Sequence, residues 1–78
     1  MKYLVRSTSI DPETGRTITA TPRKEVIDTD TNSLFYGCTS EWQVEDVYTA
    51  FWNRLNASWE TAFPTDKEKV VVLSVWPV

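Results

Sequence analysis

Few residues in this chain could do chemistry. Cys38 is the only thiol and there is no histidine, which removes the usual proton acceptor near neutral pH. Cys38 lies just ahead of a predicted helix start, where the helix dipole can favour a thiolate. Its charged neighbours, however, are the carboxylates Glu41, Glu45 and Asp46, and no base precedes Arg54 in that stretch. Like charge opposes a thiolate, so Cys38 reads as a small apolar side chain and not as a nucleophile. Asp28-Thr29-Asp30-Thr31-Asn32-Ser33 spaces its oxygen side chains like the opening of a calcium loop. Ser33 stands where the loop needs its glycine and Thr39 where it needs its last carboxylate, so self-bonded turns are the better fit. With Gly15 and Gly37 the only glycines, a glycine-rich phosphate loop is ruled out. The expectation is a protein without catalytic, cofactor or metal residues. The alternative is a small-molecule-binding domain, or a minimal carboxylate enzyme using Glu45 or Asp46.

The remaining candidates are binding residues, and the elements that hold them follow from the residue pattern. Residues 2–10 contain Tyr, Val, Ile and Thr in moderate alternation, which suits a strand. Asp11-Pro12-Glu13-Thr14-Gly15 has the proline and glycine of a tight turn, and Arg16–Thr21 resumes strand chemistry. The expectation is an N-terminal β-hairpin in which Asp11 faces Arg16, Ile10 meets Thr17, Ser9 meets Ile18 and Ser7 meets Ala20. Pro22 marks a strand edge or a bulge. Val26-Ile27 and Leu34-Phe35-Tyr36, either side of the polar turn residues, predict a short second hairpin closed by Gly37.

A helix is predicted over Glu41–Ser58. Ser40 and Gln43 have capping-box spacing, and Glu41, Glu45 and Asp46 complement the positive helix start. Val44, Val47, Tyr48, Phe51, Leu55 and Trp59 make the apolar stripe, with Trp52 beside it and Asn53, Asn56 and Ala57 opposite. On that reading Leu55→Ala opens a core cavity costing ~2–4 kcal/mol. Trp42 falls ~160° from Val44 at 100° per residue, opposite the stripe. It either folds back onto Leu34–Tyr36 or stands exposed as a binding hot spot.

The chain ends in Lys69-Val70-Val71-Val72-Leu73-Ser74-Val75-Trp76-Pro77-Val78, a strand with both parities apolar. Val70, Val72 and Trp76 point one way in a regular strand, and Val71, Leu73 and Val75 the other. Such a run expects cover on both faces, yet one amphipathic helix covers only one. The predicted fold is α+β: a small, mostly antiparallel sheet of three or four strands with one helix on one face, in a single domain over residues 1–78. The helix between the short strand and the last can supply a crossover and one parallel pair.

Composition bounds the function. The chain has 78 residues, 41% of them hydrophobic and four of them Trp, which favours folding over disorder. One cysteine excludes an internal disulfide, and there is neither a signal-like apolar core nor a membrane-length apolar run. A cytoplasmic protein is expected. Net charge is −3, which argues against nucleic acid and membrane surfaces as partners. Bases cluster before residue 25 (Arg6, Arg16, Arg23 and Lys24 among them), and acids from Glu25 to Asp46. The expectation is a small interaction module, a regulator, inhibitor or accessory subunit. It binds another protein with a basic surface, or a second copy in a homodimer, through the uncovered sheet face and the acidic helix start. The partner-binding candidates are Trp42, Glu41, Glu45, Asp46, Val71, Leu73, Val75 and Trp76.

Overall fold

A computed structural model describes residues 1–19, 21–63 and 67–78. Its elements are β1 (Lys2–Ile10), β2 (Arg23–Asp28), α1 (Glu41–Ala62) and β3 (Lys69–Pro77). The strands form one sheet in the order β2-β1-β3, antiparallel throughout, with α1 packed across one face. This is the expected α+β class. β2 and β3 run in the same direction but β1 lies between them, so the expected parallel pair does not form.

The turn after β1 follows its sequence signals. Gly15 takes φ +73°, the Asp11 amide donates to the Arg16 carbonyl (2.8 Å), and Ile10 bridges Thr17. The pairing then departs from the expected hairpin. Apart from the bridge at Thr17, Arg16–Thr19 form no strand; the ladder resumes at Arg23, which faces Ser7. Continuing the Ile10–Thr17 register would place Ala20 opposite Ser7, and Ala20 is outside the described residues. The three-residue register jump around Pro22 has a physical reason. Val26 and Ile27 are better strand formers than the Thr-rich stretch, and proline cannot donate to a ladder. Val26-Ile27 is therefore spent in β2, and the expected second hairpin is replaced by turns over residues 29–37. Its Phe35 is buried in the core, while Leu34 and Tyr36 are exposed.

The core is Tyr3, Val5, Ile27, Phe35, Val44, Tyr48 and Val70, with Val47, Trp52, Val72 and Val75 packed against it. The Tyr48 hydroxyl lies 2.9 Å from buried Ser7 Oγ, which satisfies both under the helix. Ser40 is the N-cap residue, but its side chain makes no capping bond. Gln43 Oε1 instead accepts from the Thr39 amide (2.7 Å) and hydroxyl (3.1 Å), one residue further back than a capping box requires.

α1 runs to Ala62, beyond the expected end at Ser58; the expected stop at Pro64 and the linker residues Thr65 and Asp66 lie outside the described residues. Its stripe needs correction in the second half. Val44 and Tyr48 are buried, but Phe51, Leu55 and Trp59 are exposed, Leu55 by 45%. Asn53 and Asn56 are half-buried instead. The reason lies in β3. The Val70 N–H points out of the ladder and needs an acceptor, and Asn53 Oδ1 supplies it at 3.1 Å. A polar side chain turned toward the sheet displaces the apolar stripe from it.

Candidate functional site

Cross-strand partners share a sheet face, so the register assigns every strand residue to a layer. Tyr3, Val5, Ser7 and Ser9 lie under the helix, and with them Val75, Val72 and Val70 of β3. Val70 and Val72 have even numbers and Val75 an odd one. A register shift opposite Arg6/Ser7 makes this possible, since Arg6 faces Ser74 while Ser7 faces Val72, leaving Leu73 as the extra residue. The bulge reverses the strand's phase. Val75 crosses to the helix side and Trp76 to the other, which corrects both expected parity sets.

The face away from the helix then carries Leu4, with Val26 on one side and Trp76 on the other, in one cross-strand row. Val26 is 60% exposed and Trp76 58%. The adjacent row is Lys24, Arg6 and Ser74, and the row on the opposite side pairs Lys2 with Asp28. Further along the same face Val71 is half-buried beside Thr8, and Lys69 pairs with Ile10. Thr8 is itself buried, so the open part is the half centred on Leu4. The result is an apolar row with cations on both flanks, in a chain of net charge −3.

Of the expected binding residues, Trp76 and Val71 lie on this face, Leu73 is half-exposed at the bulge, and Val75 is removed to the helix layer. Trp42, Glu41, Glu45 and Asp46 form a second surface at the helix start. All four are exposed, Trp42 by 64%. Trp42 and Asp46 line a depression of about 350 Å³ with Tyr36, Cys38 and Val47. Trp42 is thus exposed and also beside the loop that was the alternative resting place for it.

Leu4, Val26 and Lys2 were not expected at a site, and Arg6 and Lys24 only as bases of a nucleic-acid surface that the net charge disfavoured. One signal pointed to them: Lys2, Arg6, Lys24 and Val26 all have even positions, so two antiparallel strands with an even register sum put them on one face. Arg23, grouped with those bases by sequence, faces the helix layer. Its guanidinium bonds Ser9 Oγ, sits 3.4 Å from Glu68 Oε1, and lies 5.6 Å from the Trp52 ring centre.

Among the described residues no three Cys, Asp or Glu side chains converge as a metal site, and no helix is long and apolar enough to cross a membrane. Cys38 is a half-buried free thiol. No family model matches the chain, and neither a curated protein nor a solved structure matches it.

Proposed function

We propose that this protein is a non-catalytic interaction module that docks another protein on its open sheet face. The observation that carries this reading is the row Val26–Leu4–Trp76 with Lys2 on one flank and Arg6 and Lys24 on the other. An aromatic anchor within an apolar centre and a charged rim is the anatomy of a protein interface. The complementary partner is an acidic segment with apolar side chains. A homodimer through this face would bring together two surfaces that each carry three cations, Lys2, Arg6 and Lys24, against one acid, Asp28, so a different and more acidic chain is the better occupant. The acidic helix start, with Trp42 exposed beside Glu41, Glu45 and Asp46, offers a second surface for a basic partner. A cytoplasmic site of action rests on the cysteine content alone.

The same cationic face supports single-stranded nucleic acid as a second reading, with Trp76 stacking a base. It is weaker, because such platforms stack successive bases on several aromatics, and among the described strand residues this face has only Trp76.

The test is affinity capture with the wild-type chain against Leu4→Asp and Arg6→Glu. A protein held by the wild type and lost from both variants is the expected result. A bound set unchanged by either substitution overturns docking on this face. A salt titration with a single-stranded oligonucleotide separates the second reading: steep loss of affinity with salt supports nucleic acid, and no binding at low salt removes it.

A further inference from the structure

The two edges of the sheet are built differently. On β3 the Val78 amide donates to the Lys2 carbonyl (2.9 Å), which sets the phase: Val70, Val72, Val75 and Pro77 turn their backbone groups outward. That edge is closed to a further strand. Asn53 caps the Val70 N–H, the bulge interrupts the run, and Pro77 has no N–H to offer. On β2 the Thr29 amide donates to the Met1 carbonyl (2.8 Å), so Arg23, Glu25 and Ile27 face β1 while Lys24, Val26 and Asp28 turn outward. The Asp28 carbonyl is taken by the amides of Thr31 and Asn32. Lys24 and Val26 keep outward backbone groups, and Lys24, Glu25 and Val26 are all exposed.

A cavity adjoins this edge on the helix side. It has a volume of about 300 Å³, with Glu25 at the sheet, Phe35 and Asn32 from the loop, and Tyr48, Phe51 and Trp52 from the helix. A strand added to β2 would alternate its side chains between the open face and this cavity.

We infer that the β2 edge captures an extended segment of another protein as a fourth strand. This rests on the interaction-module reading but uses the edge, not the centre, of the sheet. The neighbouring side chains dictate the segment's chemistry. Beside Val26 it places an apolar residue that lengthens the Trp76–Leu4–Val26 row. Beside Lys24, with Arg6 next in the row, it places a carboxylate. Between them one side chain points to the helix side beside Glu25. A Lys or Arg fits there, its stem against Phe51 and Trp52 and its charge toward Glu25. Antiparallel pairing is the more stable geometry and gives the order apolar–basic–acidic.

The experiment is an amide NMR titration of the full chain with the peptide acetyl-Thr-Val-Lys-Glu-Thr-amide and with its charge-swapped form, acetyl-Thr-Val-Glu-Lys-Thr-amide. The expected result is shifts centred on Lys24, Glu25, Val26, Phe51 and Trp52, with roughly tenfold weaker binding of the swapped peptide, the size of a lost close charge pair. Val26→Pro removes an outward N–H that the ladder does not use, so it abolishes binding in a folded chain. Glu25→Lys, which keeps the backbone unchanged, abolishes the preference between the peptides and gives a second reading should the proline variant not fold. Equal binding of both peptides, or shifts away from these residues, overturns the inference. So do concentration-dependent shifts at Lys24 and Val26 without peptide, which would place a second copy on the edge. Trp76→Ala removes the anchor of the open face and leaves the shifts at Glu25 and Phe51, so edge capture and face docking can fail separately.

Discussion

At the residue scale, the chain's functional groups are mostly engaged in holding the fold. Tyr48 is the clearest case, a buried phenol whose hydroxyl reaches Ser7 Oγ at 2.9 Å from across the layer boundary. Tyr48→Phe keeps the ring and leaves Ser7 Oγ without its partner, so a loss of ~1–3 kcal/mol is expected in denaturant melts. Asn53 works likewise at the β3 edge. Asn53→Leu strands the Val70 N–H, and a loss of ~1–3 kcal/mol is expected by the same measurement even though the substituent is apolar and helix-favouring. Lys67 is exposed, and its amine is held above its ordinary 10.5 by the hydrogen bond and charge of Glu13, 2.9 Å away. A raised amine stabilises below its unfolded value and loses that contribution as pH climbs through the folded one. The Lys67–Glu13 pair therefore leaves stability flat near neutrality, and Glu13→Gln returns the Lys67 titration, followed by side-chain NMR, toward 10.5.

At the element scale, the helix and the last strand each depart from regular periodicity, for linked reasons. The bulge at Leu73 brings three valines of β3 under α1 and turns Trp76 outward. Asn53 holds the second half of the helix with a polar side toward that strand. Leu55 stays 45% exposed, so Leu55→Ala is expected to cost well under the ~2–4 kcal/mol of a core cavity. A loss in that range would put Leu55 against the sheet after all. The acidic helix start makes the opposite kind of prediction. Reversing Glu41, Glu45 and Asp46 to Lys places one cation, at Glu41, in the first turn of the positive helix end, which costs ~0.3–1 kcal/mol there. If this surface steers a basic partner, association should slow and its salt dependence should flatten. Unchanged association rates would leave these residues as stabilisers of the helix start.

At the scale of the whole molecule, charge is unevenly divided between the layers. The helix start carries Glu41, Glu45 and Asp46, while Lys2, Arg6, Lys24 and Lys69 share the opposite sheet face with a single strand acid, Asp28. The net charge of −3 conceals this, which is why composition alone pointed to a basic partner and away from a cationic surface. What the sequence determined by itself was local: the Asp11–Gly15 turn, the amphipathic start of α1 with its acids, the last strand, and hence an α+β fold. Each follows from residue preferences within a few positions. Tertiary structure decided the rest, because it depends on which distant backbone groups find partners. β1 could pair with Arg16–Thr21 or Arg23–Asp28, and the better strand former won beyond Pro22. The phase of β3 turned on one extra residue at Leu73, whose insertion is invisible in a run where every choice is apolar. That single residue moved Trp76 to the open face beside Leu4 and Val26, so the candidate interface came from register and could not be read from residue type.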